Sequence, residues 1–201
     1  MDLFILALLA ASAAYILKSN DERKRIRLLA SHLGHYQIEK LLEHLTQGYL
    51  RALGEEDASR REQIWHLLES TEARLSEQFN SFCAEFAQVD PLQARVSKLP
   101  LALPYATQLL PGATFDLRQV LAIHAAGISR VVSNSDKRPP KARAFVMMAE
   151  LFLMQHTCHW FCKSKTVASA RMLVRHQTTY DQALAAVAPE TRRAYEALVR
   201  G

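Results

Sequence analysis

The chain has 201 residues, 49% of them hydrophobic and 22% charged, with six glycines, seven prolines and three cysteines. That composition supplies a core, disfavours turn-rich all-β folds and low-complexity disorder, and excludes a disulfide scaffold in favour of a reducing compartment. The net charge of +5 is uneven: +3 over residues 18–27, −5 over 28–97 and +7 over 137–201, a pattern unlike a uniformly basic nucleic-acid-binding domain.

Residues 3–17, LFILALLAASAAYIL, contain one polar side chain, Ser12, and no charge. As a helix they span about 22 Å, short of the ~30 Å hydrocarbon core, and the stem of Lys18 with local thinning of the bilayer makes up the rest. Three readings are open. A cleaved signal peptide has a small-x-small site at Ala11-Ser12-Ala13 but carries Asp2 where a basic residue belongs, and a buried core helix of a soluble protein is the second. An uncleaved membrane anchor is preferred, because the first charged cluster after the segment is basic: Lys18, Arg23, Lys24, Arg25 and Arg27. The positive-inside rule then expects a single pass of the cell membrane, with the N-terminus outside and residues 18–201 cytoplasmic.

Ser19 or Asn20 is expected to cap a new helix with Asp21 and Glu22 in its first turn. Its apolar stripe runs through Ile26, Leu29, Leu33 and Tyr36, shifts phase near Gly34–Ile38, continues through Leu42, Leu45 and Tyr49, and stops at Gly54. After Glu55-Glu56-Asp57 a second helix carries Ile64, Leu67, Leu68, Leu75, Phe79, Phe82 and Phe86, with Glu62, Glu69, Glu72 and Arg74 on a charged opposite face. The pair predicts an antiparallel hairpin over 26–53 and 58–87 that offers a surface for a protein partner or for self-association. Residues 99–112, LPLALPYATQLLPG, cannot form one helix and read as an apolar connector lying across the core, or dipping into the membrane interface.

Helices are predicted over 116–132 and over 142–163, the latter the most apolar segment of the soluble part and a central core helix, with Pro139 or Pro140 in its first turn. Shorter helices are expected within 166–187, broken near Gln177, and from Glu190 to Arg200; no segment has convincing strand alternation. The expected fold is therefore all-α: a membrane anchor (1–18), a helical hairpin (19–88) and a C-terminal helical part (89–201), with about six helices beyond the anchor.

Three constellations carry candidate chemistry. His156, Cys158, His159 and Cys162 are ligand types for zinc or another soft metal, but on one helix the four cannot converge on a single ion, and the spacing is neither CxxC nor CxxCH. His124 and Glu150 are lone ionisable groups in apolar runs; they are expected to pair with each other, or with Arg130 or Arg143, or to face a cofactor or small-ligand pocket between the 116–132 and 142–163 helices. Lys137, Arg138, Lys141 and Arg143 form a basic loop that, with the collar at 18–27, suits anionic lipid headgroups better than nucleic acid, since it has no interleaved aromatics. Phosphate-binding, hydrolase, zincin and deaminase motifs are all missing from the sequence, and no cofactor is implied. The function expected from these features is that of a membrane-anchored, non-enzymatic interaction or scaffold protein, with a small-ligand, metal or haem protein as the alternative.

Overall fold

A computed structural model describes residues 2–200. The chain is all-α: among the described residues it is 78% helical, in nine helices, and 3% strand. The helices are α1 (Asp2–Leu33), α2 (Ile38–Gly54), α3 (Ala58–Phe86), the single turn α4 (Ala106–Leu109), α5 (Leu117–Ser133), α6 (Pro140–Cys162), α7 (Lys165–His176), α8 (Tyr180–Ala186) and α9 (Pro189–Arg200). Two three-residue strands, β1 (Arg95–Ser97) and β2 (Thr114–Asp116), pair antiparallel with Val96 opposite Phe115. They are too short for alternation to betray them in the sequence.

The largest difference from expectation lies in α1. No helix begins at Ser19 or Asn20; a single helix runs unbroken from the apolar segment through the basic collar to Leu33. Serine and asparagine cost only a few tenths of a kcal/mol inside a helix, and no glycine or proline interrupts the run. The break falls later, at Gly34–Gln37, so the predicted 26–53 helix is two, and only its second part, α2, forms the hairpin with α3. Glu55-Glu56-Asp57 makes the turn, with the Asp57 carboxylate accepting from the Arg60 N–H at 2.8 Å. Tyr49 beside Trp65 and Tyr36 beside Phe82 fix the antiparallel register.

Helix α6 is the central element, packed by α5, α7, α8 and α1. Pro140 opens it at the first turn, and its residues Met147, Leu151, Leu153 and Phe161 are fully enclosed. At about 1.5–3 kcal/mol per large apolar side chain removed from water, such positions dominate the stability. One contiguous core extends from Leu29 to Val199, so residues 19–88 and 89–201 share it. The predicted break near Gln177 is present: that residue caps α7 at φ 50°, and Thr179 with Gln182 starts α8 through a reciprocal capping box.

Two further corrections concern polarity. Glu72 is not on a solvated face; it is buried, accepting from the Tyr49 hydroxyl at 2.6 Å and pairing with Arg143 at 3.4 Å. The 99–112 segment does not lie across the core: Leu101, Leu103, Leu109 and Leu110 are all exposed.

Candidate functional site

Helix α1 has two halves with different surroundings. Every side chain from Leu3 to Leu17 is exposed, Leu3 at 81% and Tyr15 at 72%, and the first partly covered residues are Lys18 and Ser19. Among the described residues this is the one helix long and apolar enough to cross a membrane. From Lys18 onward the same helix is built into the domain. Lys163, just past the C-terminal end of α6, pairs with Glu22, and Glu22 also faces Lys18 at 3.9 Å. At the far end of α1, His32 Nδ1 lies 2.7 Å from a Glu85 carboxylate oxygen, and Tyr36 donates to the other at 3.0 Å. The histidine and tyrosine hydrogen bonds hold the Glu85 carboxyl below its usual range.

The basic collar divides in two. Arg23, Lys24 and Arg27 are exposed. Arg25 points inward: its guanidinium bonds Asp21 at 3.2 Å, the Arg95 carbonyl at 2.8 Å and the Thr107 hydroxyl at 3.1 Å, and lies over the Phe161 ring. Arg25 is thus a structural clamp and not a headgroup contact. Nor does the second basic group lie at the end of the domain where the apolar run emerges. Lys137, Arg138 and Lys141 sit at the N-terminal end of α6, roughly 33 Å along that helix from its Lys163 end. Arg138 pairs with Asp136, and Arg143 is engaged by Glu69 and Glu72.

The core residues singled out by sequence are buried but do not meet. His124 is fully enclosed, its Nε2 3.0 Å from the Thr157 hydroxyl, which itself donates to the Leu153 carbonyl. That arrangement puts the imidazole proton on Nε2 and leaves Nδ1 without a partner. Desolvation, aided by His156, pushes the His124 pKa down to about 3, so the ring is neutral. Glu150 faces elsewhere, toward Gly127 and the start of α9. Its Oε1 accepts from the Ala188 N–H at 3.0 Å, whereas Oε2 is buried without a partner. Desolvation raises its pKa to about 7, with Thr191 and the Ala188 N–H opposing the rise. Among the described residues Glu150 therefore makes no ion pair with His124, Arg130 or Arg143, although both His124 and Glu150 are fully buried in the α5–α6 seam.

The histidine–cysteine cluster disperses around α6. Among the described residues no three His, Cys, Asp or Glu side chains are grouped to hold a metal ion. His156 is buried, with Nε2 3.0 Å from the Ser169 hydroxyl, and burial pushes its pKa down to about 3. His159 Nδ1 lies 3.2 Å from the Arg171 guanidinium. The thiols are desolvated and stay protonated, Cys83 pushed up to about 12, Cys162 to about 11 and Cys158 raised as well. Protonated thiols are poor nucleophiles.

A cleft of about 510 Å³ opens on the other flank of α6, against α7, and gathers His156, His159, Arg171, Arg175 and His176 with Phe152. His176 stacks on Phe152 with ring centroids 3.9 Å apart and donates from Nε2 to the Gln155 amide oxygen at 2.9 Å. Arg171, Arg175 and His176 were not singled out by sequence; their only signal was the cationic i, i+4 repeat on a helix whose partner face was unknown. Comparison of the chain with protein-family models, with curated proteins and with solved structures finds no match.

Proposed function

We propose that this protein is a single-pass, membrane-anchored interaction protein without catalytic activity, its helical domain standing in the cytoplasm and its N-terminus across the cell membrane. One observation carries the reading: the most apolar run of the chain, residues 3–17, is left uncovered by its own domain while the helix continues into that domain without a break. In water each large side chain of the run would forgo about 1.5–3 kcal/mol of burial, which a bilayer supplies. The exposed cations Arg23, Lys24 and Arg27, immediately after the apolar run, support the cytoplasmic side and contact with anionic headgroups.

The partner surface is assigned to the tip of the α2–α3 hairpin. Arg143, near the start of α6, bridges to Glu69 and Glu72 of α3, while the other end of α6 is tied to α1 at Glu22; the hairpin tip therefore stands away from the anchor. There Leu50, Leu53 and Leu67 are exposed, and a second protein or a second copy of the chain would cover them. Nucleic acid is disfavoured because Arg25 and Arg143 are consumed internally and the 133–141 loop has no aromatic residue for stacking.

Carbonate extraction followed by flotation tests the anchor: the full chain is expected to stay with the membrane, and release as a peripheral protein would overturn the proposal. Protease accessibility of terminal tags in sealed cells tests the orientation, with the C-terminal tag expected to be protected.

A further inference from the structure

Residues 98–113 form a finger at the anchor's end of the domain. The β1–β2 ladder closes its base, extended by the Lys98 N–H bonding the Ala113 carbonyl at 2.8 Å. Three contacts then fix it. Arg25 of α1 holds the Arg95 carbonyl and the Thr107 hydroxyl, the Trp160 ring N–H donates to the Ser97 carbonyl at 2.9 Å, and the Thr166 hydroxyl donates to the Pro100 carbonyl at 2.8 Å. Tyr105, at φ 56°, occupies the left-handed region in the turn that carries Ala106 and Thr107 inward. The finger is a built shape, yet Leu101, Leu103, Leu109 and Leu110 on it are exposed, Leu109 at 74%.

The position of Leu101 and Leu103 bears on what covers them. Leu101 and Leu103 share a narrow crevice with Lys18 and Asp21 of α1, and Lys18 is the residue that ends the uncovered apolar run. The clamp at Arg25 lies only about 10 Å further along the helix. The headgroup region on each side of a bilayer is about 5–8 Å thick, so a finger alongside Lys18 lies at its depth. From this juxtaposition we infer that the 99–112 finger is a second membrane contact, dipping its leucines into the cytoplasmic leaflet beside α1. Two contacts, one spanning and one interfacial, prevent the domain from swivelling about a single helix and hold the hairpin tip away from the membrane. The inference rests on the anchor reading, and the experiment separates the two.

The full chain carrying Leu103→Trp, or Leu101→Trp, is reconstituted into phosphatidylcholine–phosphatidylglycerol vesicles containing phosphatidylcholine brominated near the glycerol end of its acyl chains. Native Trp65 and Trp160 are buried in the domain and report only background quenching. Ser135→Trp, on the exposed loop at the distal end of α6, serves as the control. Carbonate-resistant flotation is measured on the same vesicles. The expected result is retention of all variants, with bromide-dependent loss of emission for Trp at 101 or 103 and none beyond wild type at 135. Retention with no extra quenching at 101 and 103 overturns this inference and leaves the anchor standing. Failure to be retained overturns both.

Discussion

Glu150 makes the most exacting test of the described core, because its ionisation opposes the fold. Its carboxyl titrates at about 7 when folded, against an ordinary value of 4.5, because burial disfavours the charge by more than the Thr191 side chain and the Ala188 N–H favour it. Between pH 4.5 and 7 the unfolded chain releases this proton while the folded chain keeps it, so this group lowers stability as pH rises through that window, and its penalty levels off above pH 7. A rise from 4.5 to about 7 corresponds to about 3 kcal/mol, most of which develops between pH 5 and pH 8. Glu150→Gln keeps the acceptor for the Ala188 N–H and replaces the unpartnered oxygen by an amide that does not titrate. The variant should therefore gain on wild type by about 2–3 kcal/mol as pH is raised from 5 to 8. His124 and His156, both held near 3 by burial, work the other way. Their unfolded forms bind protons below pH 6.5, so they cost stability as pH falls, but equally in both proteins, and the difference cancels them. Denaturant titration of the full chain in a mild detergent, followed through the buried Trp65 and Trp160, gives the comparison. A difference between the two proteins that is constant with pH, or that widens toward acid, would refute the burial of an uncompensated carboxyl.

Other expectations follow from the same contacts. A Cβ added at Gly127 would lie 2.5 Å from Glu150 Oε2 and from the Thr191 hydroxyl, so Gly127→Ala should destabilise by about 1–3 kcal/mol in the same titration; an unchanged midpoint would mean that α5, α6 and α9 do not pack as described. Arg25→Ala removes the clamp between α1 and the 98–113 finger. Its signature should be faster hydrogen exchange over residues 95–110 with membrane retention unchanged, and uniform exchange would count against the clamp.

Much of the architecture was legible one element at a time. The Leu75, Phe79, Phe82 and Phe86 stripe specified the core face of α3, and Pro140, Gly54 and Gln177 punctuated the helices where expected, because period and backbone preference are local properties. The apolar run at 3–17 and the cations that follow it were equally plain. Polar pairing was less so. Glu72 looked solvated because it falls with Glu62, Glu69 and Arg74 opposite the apolar stripe of its helix, yet Tyr49 and Arg143, 23 and 71 positions away, bury it. Arg25 looked like one more collar cation until β1 and Thr107 came within reach of it.

By itself, then, the sequence determined the helical class, the membrane-compatible segment and the faces of the major helices, since each depends on the order of residues within a few turns. Tertiary structure decided which of the charges are free. It merged the apolar run and the collar into one helix, parted His124 from Glu150, and moved the 137–143 loop to the far end of α6. It also set the exposed Leu101 and Leu103 beside Lys18. A side chain's partner is chosen by packing between elements distant in the chain, and no local pattern records that choice.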